Sequence, residues 1–183
     1  MEYFDVLDEN GNKTGETKLR EEVHKNGIWH KAVHIWIIND KGEILLQKRS
    51  PNKDSWANMW DISSAGHLTA GDDIVEGAIR ELEEELGIKA SNKELVYLFT
   101  STSNSKPRPD FINNEFQEIF MFRYNLAIEN IVIQEDEISE VKFISMKEFK
   151  KQIEEKQKDL LIPRYIDKLI PILEEKIEQG GAK

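Results

Sequence analysis

The chain has 183 residues, of which 35 are acidic and 25 basic, giving a formal net charge of −10. That length fits one domain with a sizeable core, and the acidic balance excludes a generic nucleic-acid or anionic-membrane binder, since both need a basic footprint. With no cysteine anywhere, disulfides, zinc thiolates and a thiol nucleophile are excluded too. Met1 to Asp5 carry no basic region ahead of an apolar run, and the run Ile35 to Ile38 is far too short to span a bilayer. A cytoplasmic location with no membrane partner is the expectation.

In chain order, Tyr3 to Leu7 is followed by turn residues 8–12, in which Asn10 and Gly11 favour a tight hairpin. Residues 20–26 suit a short helix. Strands are expected at 31–39 and 43–49, joined by the turn-forming Asn39 to Gly42. Residues 72–86 give the strongest helix signal, with Val75, Ala78, Ile79, Leu82 and Leu86 on one face of a 3.6-residue period. Asp73 suits its N-cap and Gly87 its end. Further strands are expected at 94–101, 115–126 and 140–144. Between the first two, the polar stretch Ser101 to Asn114, with Pro107 and Pro109, reads as a loop. Ser145 and Glu148 form a capping box for a short helix, and a last helix follows Pro163, kinked at Pro171. Its apolar side can pack on its own domain or on a second copy in a homodimer. Helices set among antiparallel-type strands make this an α+β chain.

The chemistry concentrates on the 72–86 helix. Glu81, Glu84 and Glu85 stand at i, i+3 and i+4, crowding one face roughly 120° round from the apolar stripe. Residues 72–85 hold seven acids against one base, Arg80. Such a run is commonly just a solvated face. Alternatively, a hard divalent cation relieves the repulsion, and Mg²⁺ or Mn²⁺ suits an all-carboxylate set. Gly66 and Gly71 let the preceding loop approach such a cation closely.

The pattern of Gly66, five residues, Asp72, seven residues, then Arg80-Glu81-Leu82-Glu83-Glu84-Glu85-Leu86-Gly87-Ile88 resembles the signature of the Nudix hydrolase family. Every fixed position matches except one, where Asp72 replaces a glutamate. The resemblance implies an α/β/α sandwich with a mixed sheet, an N-terminal hairpin and a C-terminal helical extension. It implies one domain over 1–183, with a core at 28–150 and helices in 151–183. Glu81, Glu84 and Glu85, helped by the Ala65 carbonyl, would hold Mg²⁺ or Mn²⁺, and Arg80 would orient Glu81. The implied reaction is hydrolysis of a small-molecule diphosphate, such as a nucleoside diphosphate derivative, with Glu84 or a strand carboxylate (Glu118 or Glu115) as base. Alternation along 115–120 sets Gln117 on the Glu115 face and Glu118 on the other, unless a bulge intervenes.

A second likeness covers about residues 3–144. Ile28 to Trp36, Glu43 to Arg49, and Trp56, Trp60 and Ser64 to His67 resemble the branch related to isopentenyl-diphosphate isomerase. That likeness implies metal-ligand positions at His30 and His67, His24 with a one-residue slip, and Glu115 as the essential glutamate. It also implies that Arg49 and Lys53 grip the diphosphate, with His67 contacting the active site. Two departures oppose isomerase activity: Ala65 stands where the isomerase has its catalytic cysteine, and the carboxylates of the box are intact. A structural or surface role is the default for His24 and His30, and a structural one for His34 within its apolar strand. Trp56 and Trp60 read as core or pocket wall, not as a nucleotide-stacking platform.

Overall fold

The computed structural model describes residues 1–53 and 55–180. Strands β1 (Tyr3–Leu7) and β2 (Lys13–Leu19) form an antiparallel hairpin. Its turn is closed by Asp8 Oδ1, which accepts from the amides of Asn10 and Asn12 at 2.9 and 2.8 Å, with Gly11 at φ 84°. Helix α1 (Arg20–Asn26) follows and stops at Gly27, which takes the left-handed conformation.

The main sheet has seven strands: β3 (His30–Ile38), β4 (Glu43–Arg49), β5 (Trp60–Asp61), β6 (Ser64–His67), β7 (Val96–Arg108), β8 (Phe111–Arg123) and β9 (Ile138–Ser145). β3 runs parallel to β8 and antiparallel to β6, while β4 lies between β5 and β9. The sheet is therefore mixed. Helix α2 (Ile74–Leu86) covers one face; α3 (Met146–Glu154) and α4 (Ile166–Gly180) cover the other.

β3 reads as an almost continuous apolar run because both of its faces are buried. Val33, Ile35 and Ile37 pack with Ala78, Leu82 and Leu86 of α2. Trp36 and Ile38 pack instead with Phe149, Leu169 and Leu173 of α3 and α4. Leu82 and Leu86 are completely buried, and truncating either to alanine costs about 2–5 kcal/mol.

The arrangement that makes a site is a split in this sheet. β3 and β4 pair only at Ile38 and Ile44 and then diverge. The Ser63 hydroxyl bridges the gap, donating to the Leu45 carbonyl at 2.6 Å and accepting from the Ile37 amide at 2.8 Å. β6 fills the space beside the first half of β3 and brings Ala65 and Gly66 to the floor of the opening.

Two expectations need correction. The stretch 101–114 is not a loop: β7 and β8 continue through it as one long hairpin, pairing from Val96 with Met121 out to Arg108 with Phe111. Its Ser, Thr and Asn residues read as loop because β7 is an edge strand with little to bury. β8 accordingly starts at Phe111 and ends at Arg123, where the sequence suggests 115–126. The short strands β5 and β6 carry no period long enough to read. The α3 cap is as expected, with Ser145 Oγ accepting from the Glu148 amide at 3.1 Å, and α4 runs through Pro171.

Candidate active site

Helix α2 is aimed by its ends. Asp73 caps the N-terminus, Oδ1 accepting from the Val75 and Glu76 amides at 2.9 and 3.3 Å, and Gly87 closes the C-terminus at φ 64°. Just before it, Asp72 Oδ2 accepts from the Thr69 amide at 3.0 Å and hydroxyl at 2.6 Å, closing the 69–72 loop. The same oxygen lies 3.3 Å from an Arg80 guanidinium nitrogen. Asp72, the one departure from the motif, thus still reaches Arg80.

Arg80 ties the acids together. Its guanidinium contacts Glu81 at 2.9 Å and Glu84 at 3.1 Å, and donates to the His67 carbonyl at 3.1 Å. Glu81, Glu84 and Glu85 all line one cleft of about 840 Å³, together with Ala65 and Gly66. Glu81 lies directly over Gly66, where an added Cβ would fall 2.0 Å from the carboxylate carbon. Only glycine leaves room for that carboxylate.

Two of these carboxylates are held in an uncomfortable state. Glu85 is 7% exposed, and burial, with the charge of Glu81 adding to it, pushes its carboxyl up to about 8. The Ser64 hydroxyl and, to a lesser degree, the Ala65 amide, which donates to Glu85 at 3.2 Å, offset only part of this. Burial also raises Glu81, against the pull of Arg80. Glu84 remains half-exposed. An all-oxygen set, crowded and partly desolvated, fits a hard divalent cation such as Mg²⁺ or Mn²⁺, whose charge would favour ionisation of both buried acids.

A second cluster adjoins the cleft, which His67 lines while His24 and His30 lie behind it. His24 of α1, His30 of β3 and His67 of β6 each offer a ring nitrogen, all within 4.8 Å of one another. His24 Nδ1 lies 2.9 Å from the Arg20 carbonyl and His30 Nδ1 lies 2.9 Å from the Ile28 carbonyl. Carbonyls only accept, so both Nδ1 atoms carry the proton and both Nε2 atoms present bare lone pairs. Those two Nε2 atoms are buried without a hydrogen-bond partner. Burial lowers the two rings to about 4 and about 3, so both are neutral near pH 7. His67 Nε2 lies 3.2 Å from Glu115, whose other oxygen accepts from Gln117 at 2.9 Å. Burial alone would raise Glu115, but His67, His30 and His34 hold it well below the usual carboxylate range. The spacing 24, 30 and 67 by itself gives no sign that these residues meet, since three separate elements deliver them; the likeness to the isomerase branch is what implied all three as ligand positions.

The remaining candidates divide. Arg49 and Lys53 line the cleft, paired with Asp61 at 3.3 Å and with Glu137 respectively. Glu115 and Gln117 line it as well. Glu118 does not, and its candidacy as base is corrected: it lies on the opposite face of β8, accepting from Lys31 at 2.7 Å and Thr100 at 2.7 Å. The strand has no bulge at that point, so the alternation holds. Trp60 is core, covered by Lys142 at 3.7 Å from its ring, whereas Trp56 is 41% exposed on the cleft wall. Sequence reasoning missed Arg164, an exposed residue of the segment joining α3 to α4. Among the described residues it is the one cation lining the cleft with no ion pair. Only the fold, which lays that segment beside Trp60, brings it there.

A mixed sheet between helices is opened by a split, and there an all-oxygen cluster of carboxylates on a glycine-backed helix meets the basic side chains Arg49, Lys53 and Arg164 in one cleft. The NUDIX domain model matches residues 28–165, and the chain belongs to the Nudix hydrolase family. It is 44% identical over 156 residues to Nudix hydrolase 3 of Arabidopsis thaliana, covering 81% of this chain but 20% of that protein. An uncharacterized Nudix hydrolase of Listeria monocytogenes is 31% identical over 149 residues, covering 81% of this chain and 82% of the relative. An isopentenyl-diphosphate Delta-isomerase of Photorhabdus laumondii is more distant, at 28% over 148 residues, with 79% and 78% covered. A solved structure from Deinococcus radiodurans shares the fold, with TM-score 0.67 and 18% identity, covering 94% of this chain and 99% of the other.

Proposed function

We propose that this protein is a divalent-metal-dependent hydrolase that cleaves the diphosphate linkage of a small molecule, a nucleoside diphosphate derivative or a related diphosphate. The observation that carries this reading is the convergence of Glu81, Glu84, Glu85 and Arg80 at one cleft, with the two buried carboxylates desolvated in a way a cation relieves. Mg²⁺ or Mn²⁺ held there by those glutamates and the Ala65 carbonyl would supply neutralisation of the diphosphate and acidification of a water. The chain's own residues do the rest. Arg80 fixes Glu81 and Glu84 relative to each other through two contacts from one guanidinium. Arg49, Lys53 and Arg164 bind phosphate oxygens, the first two by exchanging their acidic partners for substrate. Glu84 is the base: it is half-exposed towards the cleft, whereas Glu115 is tied on both oxygens to His67 and Gln117.

A second metal centre is part of the proposal, because two buried, deprotonated Nε2 atoms without partners face one another in the histidine cluster. Each of these rings donates its other N–H to a backbone carbonyl, as metal-binding imidazoles commonly do. Imidazole nitrogens with one carboxylate select a transition ion over Mg²⁺. Isomerase chemistry is not proposed, since Ala65 offers no group for proton transfer.

The test is a panel of nucleotide sugars, dinucleotides, coenzyme A esters, oxidised nucleotides and isoprenoid diphosphates, each with Mg²⁺ and with Mn²⁺. Hydrolysis of at least one class, lost in Glu84→Gln and Glu85→Gln, is the expected outcome. Full activity in those variants on the true substrate contradicts the assignment.

A further inference from the structure

The cleft has one more polar group, which neither the carboxylates nor the histidine cluster uses. His34 lies mid-way along β3, in register with Ala65 of β6, and lines the cleft. Its Nδ1 is 2.7 Å from the hydroxyl of Tyr165, a residue just ahead of α4 that is 6% exposed. The same hydroxyl lies 3.2 Å from Trp36 Nε1.

Counting donors settles the direction of this chain. Indole Nε1–H can only donate, so Trp36 donates to the Tyr165 oxygen. If His34 Nδ1–H also donated to that oxygen, the buried phenolic proton would have no acceptor, which buried polar groups avoid. The satisfied arrangement runs Trp36 to Tyr165 to His34, with the phenol donating into the Nδ1 lone pair. Nδ1 is then unprotonated, and the ring's one proton sits on Nε2. Among the described contacts that Nε2 has no hydrogen-bond partner, and unlike Nε2 of His24 and His30 it is not sealed from solvent.

We infer that His34 is a substrate-positioning residue: its Nε2–H, fixed in that tautomer by Tyr165, donates to a phosphoryl oxygen of the bound diphosphate. The inference rests on the diphosphate reading above for its ligand, while the tautomer stands on geometry alone. It gives the C-terminal extension a part in the site, since Tyr165 comes from the start of that extension and reaches across 131 positions to His34. It also explains a histidine inside the apolar run from Ala32 to Ile38: a neutral N–H donor contacts the phosphate without pairing with the metal-binding glutamates.

Two measurements test it. Long-range ¹H–¹⁵N correlation of the full chain, labelled at histidine nitrogen, reads the tautomer directly. His34 is expected as the Nε2–H form, turning into a mixture in Tyr165→Phe; an Nδ1–H form in the wild type overturns the inference. Calorimetry with Mg²⁺ and methylenediphosphonate, which is not hydrolysed, reads the ligand. Affinity is expected to fall about tenfold in His34→Ala and to be largely restored in His34→Gln, whose amide N–H takes the place of Nε2–H. The His34 Nε2–H resonance should also shift on binding. Tight binding with neither the shift nor the loss overturns the role of His34 and leaves the hydrolase reading intact. No binding to wild type overturns the ligand assignment together with that reading, and circular dichroism separates either result from misfolding.

Discussion

Replacing Glu85 with glutamine should make the metal-free protein more stable while destroying its function. The carboxyl is raised from 4.5 to about 8, chiefly by burial and further by Glu81. A folded-state value above the unfolded one means that this group's contribution is most favourable below pH 4.5 and is lost as pH rises towards 8. At about 1.36 kcal/mol per unit, the ionisation penalty is about 1 kcal/mol at pH 5 and about 4 kcal/mol at pH 8. Glutamine has no such penalty, and the Ser64 hydroxyl beside position 85, buried with no other partner, can accept from its amide. The robust quantity is the difference: the stability of Glu85→Gln relative to wild type should improve by about 3 kcal/mol between pH 5 and pH 8. Urea unfolding in a chelator, followed by tryptophan fluorescence at both pH values, measures it. Adding Mg²⁺ should stabilise wild type and not the variant. An equal effect at both pH values would show that Glu85 is not desolvated, and the argument for a cation at this site would lose its physical basis.

The other variants separate the parts of the site. Gly66→Ala places a Cβ 2.0 Å from the Glu81 carboxylate carbon, so the rate should require more Mg²⁺ for half-saturation, as a metal titration would show. Glu115→Gln should impair turnover, whereas Glu118→Gln should lose the buried bond to Lys31, lower the unfolding midpoint and leave the rate intact. His24, buried and held at about 4, stays neutral when folded while the unfolded chain protonates below 6.5. Its share of stability is therefore lost as pH falls from 6.5 towards 4, by about 2 kcal/mol between pH 7 and pH 4.5, and His24→Gln should reduce that loss in metal-free urea titrations.

What the sequence revealed follows from how far each signal extends along the chain. The α2 stripe repeats over 13 residues and carries a cap at each end, so the helix and the face bearing its glutamates were both readable. The alternation from Glu115 to Glu118 was legible as well, and it correctly separated the two carboxylates. The outer half of the β7–β8 hairpin was not, because an edge strand rich in serine, threonine and asparagine has no apolar period to show. Long-range convergence was the larger gap in the residue pattern itself, where only the likeness to the isomerase branch implied the three histidines as one ligand set. His24, His30 and His67 meet only because α1, β3 and β6 pack against Phe4, whose ring is stacked with both His30 and His67. Likewise Arg164 and Tyr165 enter the site through the path of the segment between α3 and α4, which spacing within the sequence does not encode.

The central claim is that Glu81, Glu84 and Glu85 support metal-dependent cleavage of a diphosphate bond. Phosphorus NMR of the substrate panel, recorded with Mg²⁺ in ¹⁸O-labelled water, tests it most directly. The account predicts loss of one diphosphate signal, with ¹⁸O in a phosphate-containing product, and no change in chelator or in the variant carrying Glu81→Gln, Glu84→Gln and Glu85→Gln together. Cleavage that persists in that variant, or without any divalent metal, would contradict it.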